Sequence, residues 1–264
     1  KNVFTVRNVV DIKKLQSYLV ENDIQDVAVV GAGYIGTEVA ENLRLAGRNV
    51  SLIEAQNQVM APLDYDMAQI LHKEMMDHGI NLILNDGVCD ITENEVILGS
   101  GKSVAAKAVV MSIGVTPETS LAREAGLEIG ETGAIKVDVN YKTNDEFIYA
   151  VGDAIEVFHA ITHKPCRLPL AGPAQKQARA AADHMYNQTN QNKGVIGSSV
   201  VQVFDLNAAA TGLNEKMAKA EGYNYDFVYV IPGDKVGLMP NSNPMHFKLV
   251  FEVPTGRILG AQAI

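Results

Sequence analysis

The residues best suited to chemistry form a Gly-rich turn early in the chain. Gly31, Gly33 and Gly36 fit the pattern G-x-G-x-x-G, between a predicted buried strand at 27–30 and a predicted helix. In this pattern the first glycine makes a tight turn, the second lets the backbone approach a pyrophosphate, and the third allows close packing of helix and strand. The helix start offers free amide hydrogens and a partial positive charge. The sequence therefore predicts a binding site for an adenine dinucleotide.

An acidic residue ends the next predicted strand. Glu54 follows the strand at 50–53 and lies 18 positions after Gly36. A carboxylate there accepts hydrogen bonds from ribose hydroxyls and repels a 2′-phosphate. The next four residues include no Arg or Lys that could hold such a phosphate. The pattern favours NADH over NADPH, and the alternative interpretation of Glu54 is a solvated strand end.

The elements around the turn form a predicted βαβ unit. Ile35, Val39 and Leu43 recur at four-residue spacing, which predicts a helix that packs this stripe on the sheet and ends at Gly47. A second helix is predicted between Pro62 and Gly79, followed by a strand at 81–84. Short β-rich runs from 88 to 112, with a turn at 99–101, predict an antiparallel meander.

The second half of the chain has a different pattern of predicted elements. A strand ending at 148–151, a polar loop through Pro165 and an Ala-rich helix from about 173 to 186 are predicted in turn. The polar run 187–193 is typical of a linker. Beyond it, strands are predicted at 199–205, 226–231 and 246–252, with one helix around 214–220. These elements predict a separate α+β domain.

Composition excludes several function classes. The 264 residues are 47% apolar, yet no stretch approaches the roughly 20 apolar residues of a membrane helix. A formal net charge of −9, without a dense basic stripe, opposes nucleic-acid binding. The six histidines show no metal-ligand spacing, so no metal is predicted. Cys89 and Cys166 form no CxxC pair, and we expect reduced thiols in a cytoplasmic protein.

Four stretches resemble motifs of the pyridine nucleotide-disulfide oxidoreductases. They are the NADH-site motif at 31–38, the strand end beside the nicotinamide at 112–117, the second flavin-binding motif at 149–153, and the segment before a flavin-facing helix at 168–174. The resemblance is greatest to the branch of coenzyme A-disulfide reductases, NADH oxidases and NADH peroxidases. The stretches 203–205, 210–213 and 256–262 resemble the dimerisation domain of that branch.

The resemblance implies an α/β fold with a Rossmann-like NAD-binding domain and its β-meander, part of a discontinuous FAD domain, and a partial α+β dimerisation domain. The implied boundaries are 1–24 for the end of the first FAD segment and the crossover, 25–140 for the NAD(H) domain, 141–190 for the second FAD segment, and 191–264 for an incomplete dimerisation domain. The chain is expected to be a fragment, and the full-length protein a homodimer.

The resemblance also implies the cofactors NADH and FAD and the residues that bind them. The implied NADH residues are Gly31, Gly33, Tyr34, Ile35, Gly36, Glu38, Glu54 and Gly114. The implied FAD residues are Gly152, Asp153, Pro169, Leu170 and Ala171. Asp153 would bond the ribityl chain, and Tyr34 would cover the flavin until the nicotinamide displaces it. Glu38 would pair with a Lys that lies in a segment not present here.

The implied activity is hydride transfer from NADH to FAD, with electrons passed on to a small-molecule disulfide such as coenzyme A disulfide, or to oxygen or peroxide. No catalytic residue is assigned in this chain, because the redox cysteine is expected in a preceding segment. Cys89 and Cys166 are poor substitutes, so we expect the chain alone to bind NADH with little turnover. The alternative is a non-catalytic dinucleotide-binding module that senses NADH or docks partners. A stand-alone dehydrogenase is disfavoured, since no Ser-Tyr-Lys or His-Asp arrangement is found.

Overall fold

The structure, a computed structural model, describes residues 2–188 and 194–264. In the amino-terminal part the elements are β1 (Val3–Phe4), α1 (Val9–Glu21), β2 (Asp26–Val30), α2 (Tyr34–Leu45), β3 (Asn49–Ile53), α3 (Tyr65–Asp77), β4 (Asn81–Ile83), β5 (Val88–Ile91), β6 (Glu95–Leu98), β7 (Ser103–Ala105) and β8 (Ala108–Met111). They are followed by α4 (Ser120–Glu124), β9 (Val157–Phe158), β10 (Pro165–Cys166), α5 (Ala171–Met185), β11 (Ser199–Val203), β12 (Leu206–Gly212), α6 (Glu215–Ala220), β13 (Tyr225–Val230), β14 (Phe247–Glu252) and β15 (Ile258–Ala263).

A parallel five-stranded sheet carries the Gly-rich turn. Its spatial order is β1-β8-β2-β3-β4, and every neighbouring pair is parallel. Helices α1 and α3 contribute Leu15, Leu19, Met67 and Leu71 to the core on one face. The meander β5-β6-β7 covers the other face, because its apolar residues pack against those of β2, β3 and β8. The predicted βαβ unit is confirmed.

Two details differ from the sequence prediction. The meander has three antiparallel strands, whereas 108–111 joins the parallel sheet between β1 and β2. In α2, Ile35 is 39% exposed, and the face on the sheet is formed by Gly36, Ala40 and Leu43 instead. The reason is that helix and turn meet backbone to backbone at Gly36, which rotates the contact face away from Ile35.

Between 118 and 188 the Ala-rich helix is confirmed as α5. The strand predicted at 148–151 is wrong, since only an isolated bridge joins Lys142 and Tyr149 there. The predicted loop before 165 contains the two-stranded ribbon β9-β10. A small core of its own, including Ile155 and Ala181, holds this region together.

The carboxy-terminal unit is an antiparallel sheet in the order β11-β12-β15-β14-β13, with α6 against it. The three predicted strands are confirmed, and β12 and β15 are additional. The predicted linker at 187–193 and the predicted boundary at 190 fall mainly on residues 189–193, which lie outside the described residues. Val201, Val203 and Phe204 share one apolar core with the first unit. The carboxy-terminal sheet therefore packs directly on the unit that carries the Gly-rich turn.

The predicted boundary at residue 24 stays a prediction. β1 and α1 precede that boundary, yet they pack on the same parallel sheet as the elements that follow it. Within 2–188 and 194–264, no helix combines the length and the apolar character needed to cross a bilayer.

Candidate functional site

The Gly-rich turn lies where the strand order of the parallel sheet changes direction. From β2 the chain continues to β3 and β4 on one side, and it returns with β8 on the other side. A crevice at the carboxyl ends of β2 and β8 is the usual ligand site of such sheets. Gly31 follows β2 and Ser112 follows β8, and a Cβ built on Gly31 would lie 2.5 Å from the carbonyl oxygen of Ser112. The two chain segments are thus in direct contact at the crevice.

The three glycines of the turn differ in whether the fold requires a residue without a side chain at their position. Gly31 adopts a φ of +96°, in the left-handed region. A Cβ on Gly36 would lie 1.8 Å from the backbone oxygen of Gly31, so helix and turn could not meet there with any side chain. Gly33 has an ordinary φ of −78°, and nothing lies within 4 Å of a Cβ built on it. Gly31 and Gly36 are therefore required by the fold, whereas Gly33 leaves open space above the turn.

That open space lies at the start of α2. Gly33 is the N-cap, and no side chain caps the helix. The first amide hydrogens of a helix have no partner within the helix, and the helix dipole adds a partial positive charge. These amides are suited to binding phosphate oxygens without a basic side chain.

Glu54 lies directly beside the turn. One of its carboxylate oxygens accepts a hydrogen bond from the amide of Ala32 at 2.8 Å, and the other accepts one from the amide of Gln56, also at 2.8 Å. Each carboxylate oxygen has a second lone pair, so both can still accept a hydrogen bond from a ribose hydroxyl. The two amides hold the carboxylate in place without a ligand, which favours a preformed sugar site.

Tyr34 is the first residue of α2, and its side chain leaves the turn toward the carboxy-terminal unit. The ring packs against the core shared by the two units, and its hydroxyl is hydrogen-bonded to the hydroxyl of Ser199 on β11. Ile35 and Glu38 are exposed on the same helix. Sequence reasoning did not predict the partner of Tyr34, because Ser199 lies 165 positions away.

The loop after β8 supplies the other wall of the crevice. Gly114 has a φ of +114° and is exposed, as are Ile113 and Val115. The side-chain hydroxyl of Ser112 is buried and has no hydrogen-bond partner among the described residues. The predicted nucleotide residues that follow β2, β3 and β8 are thereby brought to one edge of the sheet.

The residues predicted to bind FAD form a second group. Gly152 has a φ of +83° and donates its amide hydrogen to the side-chain oxygen of Gln177 in α5 at 2.7 Å. Asp153 is exposed on the short 3-10 turn at 152–154, which packs against the first half of α5. Leu170 is the N-cap of α5, and no side chain caps this helix either. Pro169 and Ala171 are exposed on either side of that cap.

The pKa values of His72 and Cys166 are shifted, although the sequence analysis assigned neither residue a role in the site. His72 is buried, and its ring nitrogen accepts a hydrogen bond from the amide of Val59 at 3.1 Å. Burial lowers the pKa of His72. Burial and the charge of Glu156 raise the pKa of the Cys166 thiol, which opposes formation of the reactive thiolate.

Sequence reasoning missed a charge cluster between the two units, in which Lys248 and Asp64 are buried, Glu215 is half-buried and Asp66 is exposed. The ammonium group of Lys248 on β14 is 0% exposed and contacts Asp64 at 3.2 Å, Asp66 at 2.8 Å and Glu215 at 2.5 Å. Burial lowers the pKa of Lys248, but its hydrogen bonds to Asp66 and Glu215 and the nearby negative charges outweigh this and raise the pKa to about 12. These three carboxylates lie close enough for a metal ion, and the ammonium takes that place.

A second group with metal-ligand character comprises Glu74, His78 and Asp205. Each nitrogen of the His78 ring lies 3.5 Å from an oxygen of a different carboxylate. No sequence motif marks either group, because each joins residues of the first unit to a residue of the carboxy-terminal unit that lies far away along the chain.

Comparison with known proteins places these features in context. Residues 1–184 match the family described as "Pyridine nucleotide-disulphide oxidoreductase", and residues 198–264 match its dimerisation domain. A coenzyme A disulfide reductase of Staphylococcus epidermidis is 30% identical over 99% of this chain and 59% of its own length. The chain spans about 60% of the length of the curated relatives that it matches.

Two solved structures are similar to the whole chain. The structure of reduced CoADR-RHD from Bacillus anthracis has a TM-score of 0.97 and 43% identity, and the match covers 100% of this chain and 48% of that one. The water-forming NADH oxidase of Lactobacillus brevis, bound to NADH, has a TM-score of 0.89 and 28% identity, with 100% and 59% covered.

Proposed function

This chain belongs to the pyridine nucleotide-disulphide oxidoreductase family, and from that premise we propose that it is the NADH-binding and partial FAD-binding portion of a flavoprotein oxidoreductase. The single observation that carries the proposal is the open space above Gly33, at an uncapped helix start, beside the amide-held carboxylate of Glu54. Such a constellation matches a pyrophosphate and the ribose next to it.

In the proposed mechanism the amides at the start of α2 bind the pyrophosphate, and Glu54 binds the adenosine ribose. The loop after β8, with Gly114 at its exposed bend, leaves room for the nicotinamide end. Fixing the nucleotide at these points removes much of the entropy cost of bringing the hydride donor to its acceptor. Ile35 and Glu38, exposed on the first turns of α2, are proposed to line the same site.

The second group of residues fits the flavin. The residues present supply an exposed carboxylate at Asp153 and an uncapped helix start at Leu170. Bound FAD would supply the hydride acceptor. Asp153 would accept hydrogen bonds from its polyhydroxyl chain, and the amides at the start of α5, with Pro169 and Ala171 beside them, would stabilise negative charge on the ring.

The electron acceptor is proposed from the relatives. The Staphylococcus relative is named for coenzyme A disulfide, and the Lactobacillus relative for water formation. We propose a small-molecule disulfide such as coenzyme A disulfide as the substrate, with oxygen or peroxide as the alternative. Because the pKa of Cys166 is raised, that thiol is not assigned the relay of electrons. Cys89 is exposed on the meander strand β5 and is not assigned it either, so this chain alone is expected to turn over little.

The proposed assembly is a homodimer formed through the carboxy-terminal unit. The match to a dimerisation domain supports it, and so does the row of exposed apolar residues on and after the edge strand β13. This row includes Phe227, Val228, Val230 and Ile231. The two free cysteines agree with the reducing conditions of the cytoplasm, where we propose that the protein works.

The test of the nucleotide site compares NADH with NADPH in the parent chain and in Glu54→Gln. We expect the parent to bind NADH more tightly, because the Glu54 carboxylate repels a 2′-phosphate. The amide of Glu54→Gln keeps the size but loses the charge, so the preference should shrink by about tenfold or more, measured by calorimetry. An unchanged preference would contradict the role of Glu54.

A spectroscopic test addresses the flavin and the acceptor. In the full-length protein, NADH should bleach the flavin band at about 450 nm, and coenzyme A disulfide should restore it if a disulfide is the acceptor. A full-length protein that binds no flavin would instead favour the non-catalytic dinucleotide-binding module.

A further inference from the structure

Helix α2 is held along its outer side by the first strand of the carboxy-terminal sheet. At one end, the hydroxyl of Tyr34 is hydrogen-bonded to the hydroxyl of Ser199. At the other end, the buried carboxylate of Glu41 accepts a hydrogen bond from the amide of Phe204 at 3.0 Å. Tyr34 and Glu41 are two helical turns apart, and their partners are the first residue of β11 and the residue that follows its last. Helix α2 is therefore fastened to the other unit at its start and again two turns later.

The hydrogen bond between Ser199 and Tyr34 joins a strand of the carboxy-terminal sheet to a residue of the proposed nucleotide site. Ser199 is half-buried, and its backbone is paired with Ala210 of β12. A serine hydroxyl turns about one torsion angle, so it can hold a partner at little cost in conformational entropy. Tyr34, in contrast, directly follows Gly33, and its ring lies half-buried against the shared core.

We propose that Ser199 is a positioning residue that holds Tyr34 in the place seen here and opposes its movement when the nicotinamide binds. This inference rests on the proposed function and on the role that the family resemblance implies for Tyr34, whose ring would give way to the nicotinamide. Moving the ring then requires loss of the hydrogen bond to Ser199. A hydrogen bond between neutral groups is worth about twofold to about tenfold in an equilibrium constant, so the bond should weaken NADH binding by that factor.

The test is a double-mutant cycle with two ligands, NADH under anaerobic conditions and ADP-ribose. Ser199→Ala and Tyr34→Phe each remove one hydroxyl and keep the rest of the side chain. Each should tighten NADH binding by about twofold to about tenfold, and the double variant should gain no more than either single variant. ADP-ribose has no nicotinamide, so its dissociation constant should stay at the parent value in all three.

Two matched controls separate this role from a structural one. Ser198→Ala removes the neighbouring hydroxyl, which is bonded to that of Thr211 at 2.7 Å and not to Tyr34, and should leave both ligands unaffected. Ser199→Thr retains a hydroxyl on the same strand and should restore the parent affinity for NADH.

Several outcomes would overturn the inference. One is that Ser199→Ala binds NADH as tightly as the parent or more weakly. Another is that its affinities for NADH and ADP-ribose shift equally, because the hydrogen bond between Ser199 and Tyr34 would then only support the helix. Additive effects in the double variant would also refute it. Failure of the proposed function looks different, since the parent chain would then bind neither NADH nor ADP-ribose.

Discussion

The substitution Gly33→Ala tests whether the open space above the turn is the place of the pyrophosphate. The backbone at Gly33 has φ −78° and ψ −167°, which alanine adopts without strain. Apart from its two chain neighbours, no described residue has an atom within 4 Å of the added methyl group. The fold should therefore accept the change, at a cost of up to about 1 kcal/mol for a poorer N-cap residue.

The effect on binding should be much larger than the effect on folding. The methyl group would occupy the space in which phosphate oxygens approach the amides at the start of α2. Loss of one such hydrogen bond to a charged group is worth about 1.5 to 3 kcal/mol. This corresponds to a dissociation constant for NADH that is about tenfold to about a hundredfold higher. ADP-ribose should lose affinity by the same factor, because it contains the same pyrophosphate.

The assay combines calorimetric titration with NADH and thermal unfolding of each variant. Gly237→Ala is the matched control, since Gly237 also lacks a positive φ and has nothing within 4 Å of an added Cβ. Gly36→Ala is the opposite case, because its Cβ would lie 1.8 Å from a backbone oxygen, and it should unfold the turn. If Gly33→Ala bound NADH as tightly as the parent while remaining folded, the pyrophosphate would not lie at the start of α2.

The remaining predictions concern the stability of the fold. Lys248→Met leaves the buried carboxylate of Asp64 without its counter-charge, together with the more exposed ones of Asp66 and Glu215, and should cost about 3 to 5 kcal/mol in urea unfolding, whereas a loss below about 1 kcal/mol would contradict the cluster's role. In the parent, the contribution of Lys248 is complete below its ordinary pKa of 10.5 and should be lost as the pH rises through about 12. His72 has a lowered pKa and accepts a hydrogen bond from Val59, so its contribution is present above pH 6.5 and should decline as the pH falls below that value. From about pH 8 to about pH 5, limits about one to two units from the ordinary pKa, the free energy of unfolding should fall less steeply in His72→Gln than in the parent. An identical slope in the two proteins would count against this account.

Local patterns were sufficient for the elements that carry the site. The alternation of buried strand, Gly-rich turn and helix predicted the βαβ unit, because backbone geometry at Gly31 and close packing at Gly36 depend on neighbours within a few residues. The position of Glu54 at the end of β3 followed from the same unit. The contact face of α2 was less predictable, since four-residue spacing assigned Ile35 to the face on the sheet, whereas this residue is 39% exposed.

The sequence by itself determined the dinucleotide-binding pattern, the family resemblance and most of the strands and helices, since each depends on residues close together in the chain. Only the tertiary structure decided that Gly33 faces open space and that Tyr34 is bonded to Ser199. It also decided that Lys248 is buried among three carboxylates. The physical reason is that burial and pairing depend on how two separately predicted units pack together, which no local pattern of apolar or charged residues specifies.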